Sequence, residues 1–169
     1  HGLKTLAQSG LAIQKLQHLL EQNPKQADIH GLIAACFTDL ACHELAVAAY
    51  EKALVLDPER GDFWRDCAMA LEAAGRWEEA QVKCKKAVEL MPDAPECAEL
   101  AATIAAKVTE RQALEKDCSR LKELAAAGAL SVADACLWVA KLQELGRLGE
   151  AASRCRSSAA QNPESAEIR

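Results

Sequence analysis

The chain has 169 residues, 50% of them apolar but only 4% aromatic, so it can bury a core and must build it from Ala, Leu, Val and Cys. Ala and Leu are strong helix formers and β-branched residues are few, so no strands are predicted. A formal charge of -5, from 25 acids and 20 bases, argues against nucleic acid as the main partner, because phosphate binding needs a concentrated positive face.

No apolar run approaches the ~20 residues of a membrane span, and the first residues show no charged-then-apolar targeting pattern. His1-Gly2 lacks a start methionine and reads as a tag scar or a cut end. GLKTLAQSG reads as a short first helix ending at Ser9-Gly10, and LAIQKLQHLLEQNP sets Ala12, Leu16, Leu19 and Pro24 along a second, so that 1–26 form a partial repeat. From 27 to 60 the marked positions are His30, Ile33, Ala34, Phe37, Ala41, Ala46, Tyr50, Ala53 and Pro58. From 61 to 94 the spacing returns with Trp64, Cys67, Ala68, Leu71, Gly75, Ala80, Cys84, Ala87 and Pro92. Pro24, Pro58 and Pro92 follow one another at intervals of 34 residues.

The stretch 95–131 is degenerate. Ala98, Ala101 and Ala105 stand where large residues belong, and neither Gly nor Pro occurs from Glu96 to Ala127. Two readings stay open: a hairpin turned by polar residues near Thr109-Glu110, or one long helix. The hairpin is favoured, because the final repeat needs a neighbour to cover its apolar face. From 132 to 165 the pattern returns with Trp138, Val139, Leu142, Gly146, Leu148, Ala151, Cys155, Ser158 and Pro163. Nine or ten helices are expected, with capped or acidic starts near Asp28, Asp62, Asp93 and Ser131.

A large residue, a small one, an aromatic, a turn glycine, a buried alanine and a closing proline within 34 residues resemble the tetratricopeptide repeat. The resemblance covers essentially all of 1–169. It implies an all-α, right-handed superhelical solenoid of antiparallel helix hairpins, in one domain, acting as a non-catalytic scaffold that binds a peptide or amphipathic helix in its concave groove. In that family the groove is lined by first-helix positions two, five, nine, twelve and thirteen. Position two carries Asp28, Asp62 and Glu96; position five Gly31, Arg65 and Glu99; position nine Ala35, Met69 and Thr103; position twelve Thr38, Glu72 and Ala106. Asp66 lies beside them, and the last repeat adds Ala133, Cys136, Ala140 and Gln143.

The acids at position two have two readings. Acids in a first helical turn are favoured by the macrodipole without any ligand. Alternatively, an acidic rim over an apolar floor of Gly31, Ala35, Met69 and Ala140 accepts a basic or amphipathic partner. A subclass of the family holds acidic C-terminal peptides with Lys and Asn; here the matching positions carry Gly31, Ala35, Asp66, Glu96 and Leu100, so no such binding is expected.

His30, Cys36, Cys42 and His43 make no metal site, because a helix rise of ~1.5 Å per residue holds the two histidines roughly 20 Å apart. Cys67, Cys84, Cys118 and Cys155 fall on repeat packing positions and read as small buried hydrophobes, leaving free thiols suited to a reducing cytoplasm. Cys136, facing the groove, is the thiol to test for reactivity. Lys83, Lys85 and Lys86 read as a solvated face. No nucleophile elbow, zinc motif or phosphate loop occurs, so neither catalysis nor a cofactor is expected. Two alternatives differ in class: a structural unit that assembles end to end into oligomers, and the accessory repeat region of a larger enzyme such as a glycosyltransferase or hydroxylase.

Overall fold

The computed structural model describes residues 2–161, with side chains for 8–157; Pro163 and the Ser158 side chain lie outside the described residues. Among the described residues there are eight helices and no strand. They divide into two compact units, His1–Val108 and Thr109–Arg169.

In the first unit α1 (Gly2–Gln22) packs on α2 (Ala27–Asp39), α2 on α3 (His43–Leu56), α3 on α4 (Gly61–Ala73) and α4 on α5 (Trp77–Leu90). The first part of α6 (Pro95–Ala126) adds Ile104 and Val108 to the same core. Close packing follows from small side chains at the crossings: Ala34, Ala46, Ala53, Cys67, Ala68 and Ala80 are buried. Helices meeting at alanines approach closely and exclude water with few aromatic rings. The third residue of each first helix, Ile29, Phe63 or Cys97, is buried as well, an apolar series the repeat signature does not mark.

Local chemistry sets the turns. The amides of Cys42 and Arg76 donate to the carbonyls of Phe37 and Leu71 at 2.9 Å, closing the α2 and α4 C-termini with six-residue loops that need a left-handed residue. Gly75 supplies φ 75°, whereas Ala41 takes φ 55° in the first hairpin. Pro58 and Pro92 stand just past α3 and α5, which they cannot continue.

Two expectations are corrected here. α1 runs unbroken through Ser9-Gly10; an interior glycine costs only about 1 kcal/mol, which burial of Ser9 and Ile13 along one face offsets. α6 is likewise one helix of 32 residues, with no turn at Thr109-Glu110. From Glu96 to Ala126 it has no Gly, Pro or Asn to take a left-handed turn or break the helix, and Ala, Glu, Lys, Arg and Leu favour continuation. Its buried residues in the first unit are Cys97, Ile104 and Val108, not Ala98, Ala101 and Ala105.

The second unit contains the remainder of α6, α7 (Val132–Glu144) and α8 (Leu148–Gln161). Cys118, Leu121, Trp138, Leu142 and Ala151 form its core. Ser131 caps α7 by accepting from the Asp134 amide at 3.1 Å, and Asp134 reaches back to the Ser131 amide at 3.2 Å. Lys141 donates to Asp117 at 2.5 Å, tying α7 to α6. Arg154 lies 4.0 Å over the Trp138 ring. Cys155, expected to be buried, is exposed; among the described side chains of α8, Ala151 is the one that turns fully into this core.

Candidate binding surface

Burying Ile29, Ile33 and Ala34 turns the opposite stripe of α2 to solvent: Asp28, Leu32, Ala35 and Asp39. On α4 the corresponding stripe is half-buried Asp62, Arg65, Asp66 and Glu72 around exposed Met69. In the first-unit part of α6, Glu96, Glu99, Thr103 and Ala106 are exposed.

The acids at position two are brought together by a residue the groove positions omit. Arg60, at the N-cap of α4, donates to Asp28 at 2.7 Å and to Asp62 at 2.9 and 2.8 Å, and its guanidinium lies 4.2 Å over the Phe63 ring. Hydrogen bonds from Arg60 hold the Asp62 carboxyl below the usual aspartate range, and those same bonds push the Arg60 pKa up. Asp66 is bridged to Arg65 at 2.7 Å, and Glu72 to Lys107 of α6. Most of the expected acidic rim is therefore compensated internally, while Glu96 and Glu99 stay exposed.

The same device joins successive hairpins elsewhere. Arg76 bridges Glu44 at 2.8 Å and Glu79 at 2.7 Å, and Lys83 reaches Glu51 at 3.4 Å. Lys83 also sits 5.1 Å over the Trp64 ring of its own hairpin, so it takes part in packing within and between hairpins and not in a purely solvated face.

Gly31 does not line an open floor. It is buried, and a Cβ there would lie 2.5 Å from a Phe63 ring carbon, so the space is already filled by α4. Leu32, one position on, carries the apolar exposure instead, at 55%. Position six reads Leu32, Asp66, Leu100 and Leu137, apolar in three of four repeats, and this was the signal available in the sequence. In the second unit Cys136, Leu137 and Ala140 are exposed along α7.

The remaining thiols suit packing better than chemistry. Burial lifts the Cys67 thiol to about 11 and raises those of Cys84, Cys97 and Cys118, which keeps them protonated and inert. His30 is half-buried at the edge of a cleft, with its pKa lowered by burial and then by the nearby Lys52 charge. No helix among the described residues is long and apolar enough to cross a membrane.

Stacked antiparallel hairpins of this length define a helical repeat protein. A family model described as tetratricopeptide repeat matches residues 43–104. Among solved structures, the first tetratricopeptide domain of Spaghetti (RPAP3), bound to the HSP90 peptide SRMEEVD, aligns at TM-score 0.59 and 19% identity, covering 64% of this chain and 87% of that one. MamA aligns at TM-score 0.59 and 13% identity over 98% of this chain and 89% of its own. YrrB, described as a tetratricopeptide protein with an unusual peptide-binding site, aligns at TM-score 0.52 and 21% identity over 90% and 77%. None of the curated proteins compared matches significantly. The 43–104 segment thus matches the tetratricopeptide repeat model, and the chain shares the fold of these solved structures.

Proposed function

We propose that the chain is a non-catalytic interaction scaffold that holds a peptide or amphipathic helix along the first-helix face of the unit His1–Val108. The observation that carries this reading is the exposure of Leu32, at 55%, and Met69, at 47%, on a face whose neighbouring charges are taken up by one another. Covering each of these half-exposed side chains would contribute about 1 kcal/mol, and the paired charges beside them ask little further desolvation. Glu96 and Glu99 offer uncompensated carboxylates to a basic residue of the partner, so an amphipathic segment with a basic end fits best.

Two structures sharing the fold, those of Spaghetti (RPAP3) and YrrB, carry a bound peptide or a described peptide-binding site, which supports the class of partner. An acidic peptide such as SRMEEVD is not the expected ligand, because Asp66, Glu96 and Leu100 stand where a carboxylate would need cations. The reading includes neither a nucleic-acid nor a membrane partner, and it takes the eight free cysteines as suited to a reducing cytoplasm.

The test is selection of helical peptides against the full chain, followed by titration of the winners. Leu32→Glu and Met69→Glu should each weaken binding about tenfold by burying a charge against the partner's apolar face. Glu99→Lys should weaken peptides with basic ends by about threefold. Selected peptides that bind both glutamate variants unchanged would remove this face from consideration.

A further inference from the structure

On the α3 side of the first hairpin a cleft of about 510 Å³ opens between the α1–α2 loop, α2 and α3, lined by Pro24, His30, Ala48, Glu51, Lys52, Val55 and Leu56. In the next hairpin the equivalent place is built differently. Stepping on by one repeat replaces His30 with Trp64, Ala48 with Val82 and Val55 with Glu89. The Trp64 indole N–H donates to the Pro58 carbonyl at 2.8 Å, Lys83 covers the ring, and Glu89 is bridged to Lys86 at 3.3 Å.

His30 stands at the equivalent place, with Pro24 beside it in the lining of the cleft. An imidazole lacks the six-membered ring of an indole, so the volume that Trp64 occupies in one hairpin stays open in the other. Val55, 82% exposed, lines the opening where the next hairpin has a carboxylate. The charges are equally informative. Glu51 at the rim is bridged to Lys83, whereas Lys52 makes no ion pair among the described residues. The cleft thus combines a volume ample for an aromatic ring with one cation that is in no ion pair among the described residues.

We propose that this cleft receives a bulky aromatic side chain of a partner protein, presented next to a carboxylate that meets Lys52. The aromatic ring takes the place that Trp64 fills in the following repeat, and the carboxylate pairs with Lys52, since the lining's own carboxylate, Glu51, is engaged by Lys83. This site is separate from the first-helix face, and neither depends on the other.

The probe is the blocked tetrapeptide acetyl-Gly-Trp-Asp-Gly-amide, titrated into the full chain with amide NMR as the readout, beside the same peptide carrying Asn for Asp. Saturable shifts centred on His30, Lys52 and Val55 are expected, with the Asn peptide about threefold weaker. Lys52→Glu should cost the Asp peptide at least as much. His30→Trp fills the cleft as Trp64 does and should abolish the shifts. Should that variant misfold, Val55→Glu carries the same test from an exposed position that already holds glutamate in the next repeat, with a loss of about tenfold. Shifts centred on Leu32 and Met69, binding unchanged by Val55→Glu, or no saturable shift with either peptide would each overturn the assignment.

Discussion

At its fifth position α2 carries Gly31 and α4 carries Arg65; at its eleventh, half-buried Phe37 faces fully buried Leu71; at the turn, Ala41 faces Gly75. The two hairpins nonetheless have the same helix lengths and the same turn hydrogen bonds. What they share is the small-residue packing of Ala34, Ala46 and Ala53 in one and Ala68, Ala80 and Ala87 in the other. Backbone geometry in this fold is therefore held by close helix approach, and the larger side chains around it are free to differ.

The sharpest break of that comparison is in the core. Leu71→Ala should destabilise the first unit by about 3 kcal/mol, and Phe37→Ala by less than half as much, because Phe37 already keeps part of its surface in water. Urea midpoints measured side by side would decide it; equal losses would mean that the hairpins bury their eleventh positions alike. Next in size is Gly31→Val, expected to cost about 2 kcal/mol by driving a branched side chain into the Phe63 ring, while Arg65→Ala at the equivalent place should cost under about 1 kcal/mol.

The turns provide a reciprocal pair. Gly75→Ala forces a Cβ into the left-handed region and should cost about 1 kcal/mol, whereas Ala41→Gly relieves that strain and should stabilise by about 0.5 kcal/mol after the entropy of glycine is counted. Thermal melts shifting in the same direction for both would contradict the observed backbone. The smallest effect is that of the staple between hairpins: Arg60→Ala should cost about 0.5 kcal/mol at neutral pH and less in high salt, given its partial exposure. The Asp62 pKa is depressed in the folded state, so this contribution is present above about pH 4 and is lost as pH falls through the native value. Stability curves of the wild-type chain and the variant should separate at neutral pH and converge in acid.

Much of the helical layout was legible because its signals are local. Pro24, Pro58 and Pro92, Gly75 and Gly146, and the Ser131 cap each act within a few residues of a helix end. The breaks expected at Ser9-Gly10 and Thr109-Glu110 failed for a related reason: a glycine or a polar pair permits a turn without requiring one, and helix formers on both sides carried α1 and α6 through. The binding face was less legible. Asp28, Asp62 and Met69 lie on the solvent side as expected, but nothing in their spacing showed that Arg60 closes on two of the acids, that Lys107 takes Glu72, or that Phe63 fills the room over Gly31.

From composition and spacing alone came an all-helical chain, the hairpin period and the residues that end most helices, because helix propensity, proline and left-handed turns are properties of short stretches of backbone. Which small residues stay open and which are covered, and which acids remain free, were decided by tertiary packing. The deciding contacts, Phe63 over Gly31, Arg60 on Asp28 and Lys107 on Glu72, join side chains about one repeat apart, brought within a few ångströms only when one hairpin stacks on the next.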